Sequence, residues 1–569
     1  MTGAVGSWHP RLVLRRQAAT VPSGYGPTTV CAGLNTPTVV HQPTGDAGPP
    51  PRPQPRTSRG VAFTAVAALL ALSACSKSDL SAPSATSSNA PSTSALAPTT
   101  SLIVPTTTRS LPAGPSADLS SELSGGNGVI MGESTKPDLA SLGYVEHEFL
   151  ATGTATSYKV DGALTGDGRW VFAPDASAPY RTRVLVRAPA NAAKFSGSVI
   201  VEWLNVSGGV DADPEWTSLQ EEIVRAGDVW VGVLAQRIGV EGGPVLTKLP
   251  DTYPGADLQG KGLKAIDPAR YGTLQHPGDG YASDIFTQAA RAIRAGGGLS
   301  GLHAQRVIAG GESQSAFALV SYYNGVQPLT KVFDGFFIHS RGAVGLPFAS
   351  AGANAGIANA INGTPTIFRT DQDAPVMDIQ TETDVAGFLN SYAARQPDSD
   401  RFRLWEVAGT AHADAHLIGA TAKYIDCGLP INDGPMHIVA KAAWHALKSW
   451  LRSGTPPPTA PRLDVGPGPP LQVVRDADGI ATGGIRTPPV DVPSEVLSGA
   501  AGPKPSPICI LSGSAAPLSA QRLAQRYSSP ADYQGRYRAA ADSAITAGFV
   551  LPEDRDALLA GADPSRISR

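Results

Sequence analysis

The sequence predicts an α/β fold: a mostly parallel central sheet covered by helices on both faces, followed by a C-terminal appendage. Three observations lead there. Strand-length apolar runs alternate with helical patterns from Tyr144 to Leu451, which calls for right-handed crossovers and a buried sheet. One such unit, Arg306 to Tyr323 (RVIAGGESQSAFALVSYY), reads as strand, sharp turn and helix with Ser313 at the turn. After Gly454 the chain is rich in proline and glycine until two late helical patterns, so this part reads as a wrap on the core.

The N-terminal quarter reads differently. Residues 1–59 form a leader without apolar periodicity. Gly60 to Ala74 (GVAFTAVAALLALSA) follows Arg52, Arg56 and Arg59. It is short for a membrane span and has the length of a signal-peptide apolar region. It ends Leu72-Ser73-Ala74-Cys75, which is similar to a bacterial lipobox. Residues 60–75 are therefore expected to be a lipoprotein-type signal with Cys75 as the lipidation site. A secretory signal that happens to hold a cysteine, or a buried helix, is the alternative. Such a signal starts late for its kind, so residues 1–51 are expected to be untranslated or removed. Residues 76–140 read as a Ser/Thr/Pro-rich tether. The expected location is the extracytoplasmic face of a bacterial membrane, held there by a lipid anchor. Of the four cysteines, Cys31 lies in the leader. Cys427 and Cys509 remain, and in an exported chain the pair reads first as a disulfide, with free buried thiols as the alternative.

The core is expected over 141–454. His147 to Thr154 and Thr182 to Arg187 alternate as strands, and Ser198 to Leu204 (SVIVEWL) is a continuous buried run. Asp213 to Arg225 reads as a helix capped by Asp213 with Pro214 at its first position. Val229 to Leu234 is the next strand. Tyr281 to Arg294 is a helix with Ile285, Ala289, Ala292 and Ile293 at helical spacing. Phe333 to His339, Pro375 to Gln380 and Phe402 to Val407 are further strands. A Gly/Ala-rich insert between Ala343 and Asp373 suits a small cap, and Pro435 to Leu451 a final helix. The appendage, 455–569, has helical patterns at Ser519 to Arg526 and Ala531 to Ala547.

Ser313 is a candidate nucleophile because a turn between strand and helix exposes the hydroxyl beside backbone N–H groups at the helix start. With 62 glycines in the chain, Gly-x-Ser alone is weak evidence. The pentapeptide Gly311-Glu312-Ser313-Gln314-Ser315 also ends in serine where the G-x-S-x-G pattern has glycine. Context adds weight. Acyl transfer by serine needs a base and an acid to orient it. Asp384 follows a later strand, with Glu382 as its rival. His412 follows the next strand in Gly-Thr-Ala-His, with His416 and His437 as alternatives. The oxyanion hole is expected from the N–H of Gln314 and that of Val206 or Ser207, in the loop Asn205-Val206-Ser207-Gly208-Gly209. His412 and His416 have the spacing of a metal pair but no obvious third ligand. A net charge of −3 gives no footprint for nucleic acid, and neither a P-loop nor a dinucleotide fingerprint is present.

Together VEWLNVSGG, GGESQS, TETD, EVAGTAHAD and DGIATGGIRTPPVDVP resemble an α/β-hydrolase, and more narrowly a bacterial "alpha/beta hydrolase domain" family of poorly assigned function. The resemblance runs from about Tyr144 to Leu551. It implies an α/β-hydrolase fold and a serine hydrolase acting on small-molecule esters, with no cofactor. An amidase or peptidase with the same triad, or a non-catalytic surface-tethered binding lipoprotein, is the alternative. Arg486, in GGIR, belongs to the narrower pattern, and a structural salt bridge is expected of it.

Overall fold

The computed structural model describes residues 111–567, apart from 133–136 and a few positions between 351 and 362. The expected signal, Cys75 and the first part of the tether lie outside the described residues. Nine strands form one sheet: β1 Asp118–Glu122, β2 Tyr144–Val160, β3 Phe172–Pro189, β4 Ser198–Trp203, β5 Val229–Val233, β6 Arg306–Glu312, β7 Gly335–His339, β8 Val376–Thr381 and β9 Phe402–Val407. Their order is β1-β2-β3-β5-β4-β6-β7-β8-β9. The six from β5 to β9 in that order pair in parallel, while β1, β2 and β3 add an antiparallel edge.

The parallel strands are apolar nearly throughout because helices cover both faces. Four helices do most of this: α1 Pro214–Ala226, α2 Ala282–Arg294, α3 Gln314–Ser321 and α4 Met436–Ser453. Alternate strand residues go to opposite faces. Val199, Val201, Val307 and Phe336 pack against α2 and α3 through Ile285, Phe286 and Leu319. Ile200, Ile308, Phe337 and Met377 pack against α1 and α4 through Trp216, Leu219, Val439 and Trp444.

Three expectations need correction. The tether does not run to residue 140, since β1 pairs with β2 and its Leu119 is buried. DLSSE gave no apolar alternation because only that one residue of the edge strand faces inward. The β2–β3 hairpin is also far longer than expected, 17 and 18 residues, because its outer half is partly exposed and lacks an apolar signal. Asp213 stands at the N-cap of α1 but its side chain makes no cap bond. It meets Arg187 Nη1 at 2.6 Å instead. The buried carboxylate of Glu202, on β4, accepts from the N–H groups of Glu215 and Trp216 at 3.0 and 3.2 Å.

The C-terminal segment is stitched to the core. Asp554 accepts from Arg225 and Lys441, Phe549 meets Trp405 edge-on, and Ile485 N–H donates to Glu406 O. Cys427 and Cys509 are joined by a disulfide. Arg486 pairs with Asp491 at 2.5 Å and donates to the carbonyl of Ala481.

Candidate active site

Ser313 sits between the end of β6 and the start of α3, with φ 58° and ψ −124°. Positive φ strains a residue with a Cβ, and such strain is found where surrounding packing enforces it. Here the packing is tight: a Cβ on Gly310 would stand 2.7 Å from Ile200 Cδ1, and one on Gly311 3.0 Å from Ser315 Cβ. Ser315, at the position where the pattern has glycine, is fully buried.

His412 follows β9 through a turn pinned at Gly409, whose φ is +71°. The Gly409 N–H donates to Glu382 Oε1 at 2.6 Å, and its carbonyl accepts from Asn432 Nδ2 at 3.2 Å. The turn aims the imidazole at Ser313, with Nε2 2.7 Å from Oγ. Nδ1 stands 2.6 Å from Asp384 Oδ1. Asp384 is held by a capping box with Thr381, whose N–H and hydroxyl donate to Oδ2 at 2.6 and 2.7 Å. Because a carboxylate only accepts, Nδ1 carries the ring proton and Nε2 is left to accept from the serine.

The electrostatics fit that arrangement. Burial alone would lower the His412 pKa, but the carboxylates of Glu312 and Asp384 more than offset it and push it up to about 8. Burial works against ionising Asp384, yet His412 and the Thr381 N–H hold its pKa below the usual carboxylate value.

Glu382 does not join this chain. Its carboxylate is taken by the N–H groups of Gly409 and Gly499 and by Arg475 at 2.6 Å. Val206 is also misplaced for an oxyanion: it is fully buried, and its N–H donates to Gln314 Oε1 at 3.3 Å. Ser207 lines the space beside Ser313, with its N–H on Asn205 Oδ1 at 2.9 Å. Gln314 opens α3, so its N–H has no acceptor within the helix. His416 and His437 stack on each other with centroids 3.7 Å apart, and His416 Nε2 lies 3.1 Å from the Thr217 carbonyl. Among the described residues no group of three His, Cys, Asp or Glu is placed to hold a metal.

Ser313 and His412 border two cavities. The first, of about 240 Å³, has walls from Leu246, Phe317, Phe388, Leu389, Ile510 and Leu511. The second, of about 180 Å³, is lined in part by Asn205, Thr217 and Glu312. Sequence reading missed the contribution of the 507–511 segment, which reaches the site because Cys509 is tied to Cys427. It also missed Glu312 as a site group. An acidic residue closing an apolar strand was the available signal.

The fold and this constellation define an α/β-hydrolase. The chain belongs to the alpha/beta hydrolase domain family, whose model matches residues 112–560. Among solved structures it is similar to an α/β serine hydrolase without a lid from Xanthomonas campestris, at 13% identity over 53% of this chain and 97% of that one, TM-score 0.26. It is similar also to an esterase from Rhizomucor miehei, at 12% identity over 53% and 86%, TM-score 0.28. A comparison with curated proteins returns no match.

Proposed function

We propose that this protein is a serine hydrolase that cleaves carboxylic esters through an acyl-enzyme. One observation carries the reading: Ser313, His412 and Asp384 form a continuous hydrogen-bonded chain of 2.7 and 2.6 Å, with the serine on a strained strand–helix turn. Ser313 Oγ attacks the carbonyl carbon as His412 Nε2 takes its proton. Asp384 fixes the tautomer and steadies the imidazolium. The oxyanion is received by the Gln314 N–H, which has no acceptor within the helix it opens. His412 then gives its proton to the leaving alcohol, and water repeats the sequence to release the acid.

The wall of the larger cavity supports an apolar acyl group there, and the more polar second cavity the alcohol. Export and lipid attachment at Cys75 belong to the same proposal on sequence grounds alone.

The test is hydrolysis of p-nitrophenyl esters from acetate to palmitate by a form starting after Cys75, beside Ser313→Ala. Turnover should rise from acetate to medium chains and fall by roughly 10⁴-fold or more in the variant. A folded protein with neither turnover nor labelling by a fluorophosphonate would overturn the reading in favour of a binding lipoprotein.

A further inference from the structure

β6 ends in a carboxylate that the Ser313–His412–Asp384 chain leaves unused. Glu312 is 4% exposed. Its backbone carbonyl accepts from Asn205 Nδ2 at 3.0 Å, and its Oε2 lies 3.5 Å from the same nitrogen. Its Oε1 has no hydrogen-bond partner among the described residues, and stands 3.5 Å from His412 Nε2. The imidazole is therefore bracketed by Asp384 on Nδ1 and by Glu312 on Nε2.

A buried carboxylate oxygen without a donor is unfavourable. Here the missing donor arises during the reaction. In the resting site Nε2 accepts from Ser313 and has no proton to offer Glu312. After proton transfer Nε2 carries one, and Oε1 is the carboxylate oxygen beside it. An interaction made only then lowers the barrier, because it is stronger in the transition state than in the ground state.

Resting on the serine-hydrolase reading, we propose that Glu312 is a positioning residue for proton transfer: its Oε1 receives the Nε2–H of protonated His412 and holds the imidazolium until the leaving group takes that proton. The balance is simple. The Ser313 O–H bond breaks and Nε2–H forms as Oγ bonds to carbon. On collapse the carbon–alcohol bond breaks and the Nε2 proton goes to the departing alkoxide. Glu312 ends each half-reaction with the proton count it began with. It also lines the smaller cavity with Asn205 and Thr217, beside the space assigned to that alcohol.

Of the titratable groups packed around this corner, Glu312 is the one whose carboxylate oxygen stands 3.5 Å from His412 Nε2. Burial lowers the pKa of His339, at the end of β7, against the pull of Glu312, Asp384 and Asp414. Burial raises the pKa of Glu215, at the start of α1 and 3.4 Å from His339, and burial together with Glu215 raises that of Glu202. Asp414, which acts on His339, is pushed up to about 7 by burial. Asp384 stays ionised. Burial raises Glu312 itself to about 7 against the pull of His412 and His339.

Glu312→Gln keeps the shape and removes the charge. With p-nitrophenyl butyrate its kcat should fall about tenfold at unchanged KM, and the acid limb of kcat/KM should move down by about one pH unit, since His412 loses a neighbouring negative charge. Glu312→Asp keeps the charge and should restore part of both. A limb that stays in place, with or without a loss of kcat, would overturn the proposal. If neither variant folds, ¹⁵N titration of His412 in Asp384→Asn, which removes the other neighbouring charge, decides: a value still above the ordinary histidine range supports it, and one at or below that range overturns it. Fluorophosphonate labelling of wild-type Ser313 keeps the two readings apart. Labelling with an unmoved limb removes the role of Glu312 alone, whereas absent labelling removes the serine-hydrolase reading.

Discussion

Oδ1 of Asp384 lies 2.6 Å from Nδ1 of His412, while Oδ2 is occupied by the N–H and hydroxyl of Thr381. The carboxylate is thus fixed at both oxygens before any substrate arrives. Asp384→Asn would keep the shape but offer an amide that can donate to Nδ1 and favour the wrong tautomer. We expect kcat to fall by about 10³–10⁴-fold with KM little changed, measured on a short-chain ester.

Glu382, two residues away, should behave in the opposite way. Its buried carboxylate serves Gly409, Gly499 and Arg475, and so pins the turn that carries His412. Glu382→Ala would leave two buried N–H groups and a guanidinium without their acceptor, at a cost of about 2–4 kcal/mol. Denaturant unfolding should show that loss, while Ser313 of the folded protein should still label with fluorophosphonate.

The Cys427–Cys509 bridge closes 82 residues of chain, and cross-links of this kind typically contribute about 2–4 kcal/mol. Replacing both cysteines with serine should lower Tm accordingly. Because Pro507, Ile510 and Leu511 wall the larger cavity, the same variant should raise KM for apolar esters more than for acetate. Equal changes in KM across the ester series would show that the bridge stabilises the fold without shaping the cavity.

What the sequence exposes and what it hides follow from local physics. The strand–turn–helix around Ser313 is legible because it is built from neighbours, and the His412 turn because a strand ends in small residues. Asp384 and Glu382 share one turn, so residue type alone leaves them open. The spacing of Thr381 and Asp384 is nevertheless that of a capping box, which ties the Asp384 backbone into a first turn. Val206 and Ser207 also look equivalent in sequence. They differ only once Gln314 folds back onto the Val206 N–H. β1 and the outer hairpin were hidden because edge strands facing solvent need no apolar pattern.

Activity and stability should respond to pH in opposite directions between about 7.5 and 8.5. On the proposed reading His412 must be neutral to take the Ser313 proton. Its pKa of about 8 makes kcat/KM rise through this window. Stability follows proton binding by the folded and unfolded chains. Histidines lowered in the folded state, such as His339 and His437, have the opposite sign while the unfolded imidazole still holds protons, and drop out above about 7.5, one unit past its ordinary value. Glu312 and Asp414, each raised by burial to about 7, and His412, raised to about 8, bind protons in the folded protein that the unfolded chain has already released. For His412 the stabilisation is present below its unfolded value and lost as pH passes its folded one. The two carboxyls likewise favour the folded state only while protonated there. All three signs agree, so Tm should decline from pH 7.5 to 8.5 as turnover of a short-chain ester climbs. A Tm that rises together with activity over that range would contradict the raised values at the centre of the site.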